Sequence, residues 1–100
     1  MKYKDLIETL RIVAKYDGGL DNECYKFWGA HDEIGIEFGH YWNVSAKDIR
    51  RLAEMGWSLG CDGDYDENNE AFEKWENYKN LSDDELVSIF NEFKTISIFV

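Results

Sequence analysis

The sequence predicts an α+β fold: a small, mainly antiparallel sheet with helices packed on one of its faces. Three observations carry this expectation. Residues 33–38 read Glu-Ile-Gly-Ile-Glu-Phe, an alternation with the period of a half-buried strand. Ser45 and Ser82 each stand before an amphipathic run, with an acid three residues on and apolar residues on both sides of the start, which is how helices begin. The last six residues, Thr-Ile-Ser-Ile-Phe-Val, form an apolar β-prone run with no polar tail. One hundred residues without proline, repeat or linker make one domain, 1–100.

In chain order, residues 3–16 place Tyr3, Leu6, Ile7, Leu10, Val13 and Ala14 at helical spacing, predicting a helix with that stripe in the core. Asp17-Gly18-Gly19 stops it. Residues 20–30 leave two readings open, a short strand or an aromatic-rich loop over one end of the core, because Cys24, Tyr25, Phe27 and Trp28 are bulky but follow no clean period. In the strand at 33–38, Ile34, Ile36 and Phe38 share one face. Gly35 lies on the other, where an aromatic side chain can approach closely.

A helix over 46–55 follows, with Ser45 as N-cap, Asp48 as the acid of a capping box, and Val44 with Ile49 as a hydrophobic staple. Its buried stripe is Ile49, Leu52 and Ala53; Lys47, Arg50 and Arg51 read as its exposed face, and Gly56 ends it. Residues 57–61 form a second strand. A short helix over 69–78 has Phe72 and Trp75 on its inner side. The helix over 83–94 is opened by the Ser82/Glu85 capping box and the Leu81/Leu86 staple, with Leu86, Ile89, Phe90 and Phe93 facing inward. The strand at 95–100 belongs inside the sheet, since an apolar edge strand invites aggregation.

Charge limits the partners. Twenty-one acids against eleven bases give a net charge of −10, a field that repels nucleic acid and anionic membranes and attracts cationic surfaces. Cys24 and Cys61 form no CxxC pair. The amphipathic N-terminus lacks the apolar core of a secretion signal, and no run reaches membrane-spanning length. The expectation is a cytoplasmic protein with free thiols.

Candidate chemistry is sparse. Asp62, Asp64, Asp66 and Glu73 match positions 1, 3, 5 and 12 of an EF-hand calcium loop, which needs hard oxygen ligands converging from a tight turn. The match fails at Glu67, where the turn glycine belongs, and at Asn69, where an aliphatic residue belongs; the segment before it reads as a strand, not a helix. Cys24, His31, His40 and Cys61 fit no zinc spacing. A nucleophilic cysteine needs a basic neighbour, and these lie among acids and aromatics. His31 beside Asp32 reads as a surface turn, not a general base. There is no phosphate-binding glycine loop and no serine elbow, so no cofactor, metal or catalytic residue is expected.

The acids are concentrated. Between Asp62 and Glu92 stand eleven carboxylates and two bases, Lys74 and Lys79. Successive helical turns place Glu70, Glu73 and Glu76 in a row, about 5–6 Å apart, comparable with phosphates along a nucleic-acid strand.

The order His31-Asp32-Glu33-Ile34, then Ser45-Ala46-Lys47-Asp48 opening a helix, then Leu52-Ala53-Glu54-Met55-Gly56-Trp57 leading to a strand, resembles a pattern of small acidic proteins of bacteriophages and related mobile elements. The resemblance covers about residues 31–62, and the closing strand 97–100 is similar to their usual ending; residues 62–79 stand as an insertion. Some such proteins inhibit host defences, including anti-CRISPR and anti-restriction proteins. The resemblance implies that class of partner, in a host bacterial cytoplasm, and no catalytic residue.

The resulting expectation is a non-enzymatic acidic binding protein that offers carboxylates to the basic surface of a nucleic-acid-handling complex. Its contact residues are Asp62, Asp64, Asp66, Glu67, Glu70, Glu73 and Glu76, with Tyr65 and Trp75 as aromatic anchors. The alternatives are a calcium-binding module on the Asp62–Glu73 loop and a structural or regulatory dimer joined through Tyr41 and Trp42.

Overall fold

The alternating segments meet in one four-stranded sheet, antiparallel at every pairing, in the order β1-β2-β4-β3. The computed structural model describes residues 1–30, 32–60 and 69–99. Its elements are α1 (Tyr3–Tyr16), β1 (Phe27–Ala30), β2 (Glu33–Glu37), α2 (Ala46–Glu54), β3 (Ser58–Leu59), α3 (Asn69–Glu76), a 3-10 turn (Tyr78–Asn80), α4 (Asp83–Phe93) and β4 (Thr95–Phe99). The α+β expectation holds: α1 has the bounds expected, β2, α2 and α4 end one residue earlier and α3 two, and β3 begins one residue later. The expected ends of β3 and β4 at Cys61 and Val100 lie outside the described residues. Of the two readings left open for 20–30, both apply in part: a loop to Lys26, then edge strand β1.

Register explains the core. Ile34 pairs with Ile98, and Ile36 and Leu59 both pair with Ile96, so one sheet face is a continuous aliphatic layer. The helices close over it. Trp57, Phe90, Ile49, Leu52 and Leu86 are fully buried beneath α2 and α4. On the other face, Trp28 lies across Gly35, its cross-strand partner; a Cβ at Gly35 would stand 2.0 Å from the indole, so only glycine fits. β4 lies between β2 and β3, as an apolar strand should. It leaves α4 abruptly because Lys94 adopts a left-handed conformation, φ 55°, and stops the helix; its Nζ donates to the Trp42 carbonyl at 2.8 Å.

Two helix faces depart from expectation. In α1 the buried residues are Thr9, Ile12 and Val13, while Tyr3, Ile7 and Leu10 are exposed, so the predicted core stripe is only half right. The reason is a hydrogen bond between distant residues. Trp57 Nε1 donates to Thr9 Oγ1 at 3.0 Å, and the Thr9 hydroxyl donates to the Asp5 carbonyl at 2.8 Å, which draws the threonine side inward. In α2 the supposed exposed basic face is engaged. Arg51 pairs with Glu8 on α1, and Arg50 reaches the start of α4; Lys47 alone of the three is exposed.

Capping also differs in detail. At α4 the Ser82/Glu85 box is complete in both directions. At α2, Ser45 accepts from the Asp48 N–H at 3.2 Å, but the Ser45 N–H is taken by the Tyr16 hydroxyl at 3.0 Å. The Asp48 carboxylate instead accepts hydrogen bonds from Lys15 and Tyr16. The aspartate side chain is shorter than the glutamate of a true box, and the tyrosine completes the cap from another helix.

This cluster has a pH signature. Burial raises the Asp48 pKa, but hydrogen bonds from Lys15 and Tyr16, the Lys15 charge and Ser45 outweigh it and hold the carboxyl below its ordinary value. The bond to Asp48 holds Lys15 above its own. A depressed carboxylate contributes stability that is present above its unfolded pKa and is lost as pH falls through its folded pKa. Lys15's contribution is lost only as pH rises through its raised pKa. We therefore expect Asp48→Asn to lower stability in urea by about 1–2 kcal/mol at pH 7, with the deficit shrinking toward zero as the wild type is acidified below about pH 4. A deficit unchanged down to pH 2 would assign the loss to packing instead of charge.

Candidate functional site

The acidic segment takes its position from two buried indoles. α3 packs its Phe72/Trp75 side inward: Trp75 is 4% exposed and its Nε1 donates to the Trp57 carbonyl at 2.7 Å, while the Phe72 ring lies 5.6 Å from that of Phe93 on α4. That indole bond lies where β3 would otherwise present an open edge, and α3 covers it. Asn77 then ends the helix, its N–H and its side-chain amide both donating to the Glu73 carbonyl.

Arg50 fixes the turn from α3 to α4. Its guanidinium donates to the Tyr78 carbonyl at 2.9 Å, to the Leu81 carbonyl at 2.6 Å, and through Nε and Nη2 to Asp83 Oδ1 at 3.0 and 2.9 Å. A planar donor fork suits this task, since it satisfies two carbonyls and a carboxylate at once. The 3-10 turn and the first turn of α4 are thus both held by one α2 side chain.

Between α3 and α4 lies an open groove of about 480 Å³. Glu70 and Lys74 line it from α3, and Asp84, Glu85 and Glu92 from α4, over a floor that includes Ile89. Glu70 and Lys74 form a surface pair at 3.2 Å. Glu85 is held below the ordinary carboxyl range, first by the Ser82 backbone N–H and then by the Ser82 side chain and the Lys74 charge. The groove is an anionic surface with one cation inside it.

Opposite charge is consumed elsewhere. Arg51 bonds Glu8 through Nε and Nη2 and lies 4.0 Å from Asp5 and 3.6 Å from Glu54. Its bond to Glu8 lowers the Glu8 pKa. Lys15 is held by Asp48. A second cleft of about 410 Å³ between α1 and α2 is lined by Glu8, Arg51 and Glu54, which pair with one another, by Asp48 and Arg50, whose partners Lys15 and Asp83 lie outside its lining, and by Lys47.

Of the residues expected to make contact, Glu70 lines the groove and Glu73 and Glu76 are exposed on α3. Trp75 is corrected: it lies inward, as its spacing indicates, but its ring and its N–H are both used by the core, so it is no surface anchor. Asp62, Asp64, Tyr65, Asp66 and Glu67 lie outside the described residues. Asp84, Glu85 and Glu92 were absent from the contact set, although they belong to the same run of acids; only the pairing of α3 with α4 brings them beside Glu70. For the alternatives, a strand, β3, precedes the calcium-like loop where an EF-hand has a helix, and Glu73 lies within α3. Tyr41 is 97% exposed, whereas Trp42 is half-buried against Phe38, with ring centroids 5.8 Å apart. His31 and Cys61 lie outside the described residues, and among those described no three His, Cys, Asp or Glu converge to hold a metal. No described helix is long and apolar enough to cross a membrane.

No protein-family model, curated protein or solved structure matches this chain.

The indole bond is open to a direct test. Trp75→Phe keeps a ring in the core and removes the donor, leaving the Trp57 carbonyl short of a partner. We expect a loss of about 1–2 kcal/mol in urea denaturation, against about 3–5 kcal/mol for Trp75→Ala, which also opens a cavity.

Proposed function

We propose that this is a non-enzymatic acidic binding protein, a phage-encoded inhibitor that occupies the basic surface of a host nucleic-acid-handling defence complex of the CRISPR or restriction type. The observation that carries the reading is the separation of charge. Arg50, Arg51 and Lys15 are tied into internal ion pairs, whereas Glu70, Glu73, Glu76, Asp84, Glu85 and Glu92 face solvent on α3 and α4 with Lys74 as their near counter-charge.

Such a face suits a partner that binds polyanions. Carboxylates spaced along two helices meet lysines and arginines that otherwise hold phosphates, and the remaining field speeds encounter. Asp62, Asp64, Asp66 and Glu67, contiguous in sequence with α3, extend the same run of acids. The groove supports binding more than catalysis. It is open to water, and Glu85, bonded by the Ser82 N–H, is stabilised as an anion, the opposite of the raised pKa a general acid requires.

The test is capture of the partner from bacterial lysate, followed by a salt titration of the purified pair. Affinity should fall steadily as salt rises. Charge reversal of Glu70, Glu73 and Asp84 to lysine should weaken binding by at least about 100-fold, with a melting temperature close to wild type because all three are exposed. Binding or inhibition that survives the triple reversal would reject this face.

A further inference from the structure

The two edges of the sheet are treated differently. The β3 edge is covered by α3 through the Trp75 bond. The β1 edge has no such bond: β1 pairs only with β2, and no described strand pairs with its outer side. The Glu37 N–H bonds the Lys26 carbonyl, so in an antiparallel ladder Trp28 and Ala30 direct their backbone groups to β2. The N–H and C=O groups of Phe27 and Gly29 then point away from the sheet. Phe-Trp-Gly-Ala contains no charge, proline or bulge of the kind that blunts an edge.

Beside this edge lies unpaired apolar surface. Tyr3, Ile7 and Leu10 are exposed along one side of α1, and the helix borders a largely apolar groove of about 270 Å³ whose lining includes Leu10, Leu20 and Phe27. Leu20 is 71% and Ile7 54% exposed. Contiguous apolar patches next to unpaired strand groups mark contact surfaces.

Charge selects the occupant. Residues 1–30 carry five bases, Lys2, Lys4, Arg11, Lys15 and Lys26, and five acids, Asp5, Glu8, Asp17, Asp21 and Glu23. The whole net charge of −10 therefore resides in the remainder of the chain, and α3 lies at the opposite edge of the sheet. Two copies repel each other wherever the acidic side meets itself, but not across this neutral side. A basic partner gains nothing here over the acidic face. The outward N–H and C=O groups of Phe27 and Gly29 offer both donors and acceptors, so the edge of one copy can pair antiparallel with the same edge of another.

We infer that two copies of this chain associate through β1, antiparallel edge to edge, with the exposed side of α1 and its groove closing over the junction. The sheet becomes eight-stranded, and the acidic faces lie at its two far ends. Backbone bonds from Phe27 and Gly29 set the register, and Ile7, Leu10 and Leu20 supply the apolar burial.

Sedimentation equilibrium of the purified protein tests this without any partner, and so separately from the proposed function. At concentrations up to about 200 μM the wild type should approach twice its chain mass of 11.8 kDa. Because the joined faces are neutral, raising salt should leave the association unchanged or strengthen it by screening the remaining charge. Gly29→Pro removes the outward N–H and keeps the inward ladder; Ile7→Glu places a charge in the apolar side. Each should weaken association at least about tenfold, with Ile7→Glu providing the reading should Gly29→Pro disturb the fold. A wild-type monomer at the highest concentration, a dimer unaffected by Ile7→Glu, or a dimer that dissociates as salt rises would overturn the inference.

Discussion

The structure turns on the burial of Trp57. Its ring is 1% exposed, its Nε1 donates to Thr9 on α1, and its carbonyl accepts from Trp75 on α3. One residue at the head of β3 therefore joins the first helix, the sheet and the acidic helix. A buried indole is stable only when its polar groups are matched, and the match here is complete: among the described residues no buried side-chain nitrogen or oxygen lacks a partner. Were Trp57 to lose either contact, the core would hold an orphaned polar group, and the helix concerned would lose its orientation as well as its packing.

What the sequence made legible was local. The caps at Ser45 and Ser82, the inward places of Val44, Ile49 and Leu86, the alternation of β2, the space above Gly35 and the interior place of β4 all follow from spacing and residue type within one segment. The departures have a common cause in partners far along the chain. Thr9 reads as polar, yet it is buried because Trp57 lies forty-eight residues away and needs an acceptor. Arg50 and Arg51 read as a solvated face until the carbonyls of Tyr78 and Leu81 and the carboxylate of Glu8 are brought to them. Trp75 has the spacing of an inward residue and the chemistry of a surface anchor, and only the Trp57 carbonyl decides between them. Of the contact residues, Glu70 was legible from helical spacing, while its neighbours across the groove, Asp84 and Glu92, required the packing of α3 on α4.

The same long-range pairs divide the surface. By engaging Lys15, Arg50 and Arg51 in ion pairs, the fold leaves an acidic side at α3 and α4, held in place by Arg50, and a neutral, apolar side at α1 and β1. Compensated charge near the first helix and uncompensated charge near the last two follow from one packing arrangement. Function is proposed for the first of these sides and self-association for the second, and neither requires a change in the core.

The central claim is that the exposed carboxylates of α3 and α4 form the recognition surface. It is tested most directly by following backbone amide shifts while a lysine- and arginine-rich peptide is added at low salt. Shifts concentrated on residues 70–92, with α1 and β1 unperturbed and the Trp57 and Trp75 indole signals fixed, are the predicted result. Shifts centred on α1 or β1, or none at millimolar peptide, would contradict it.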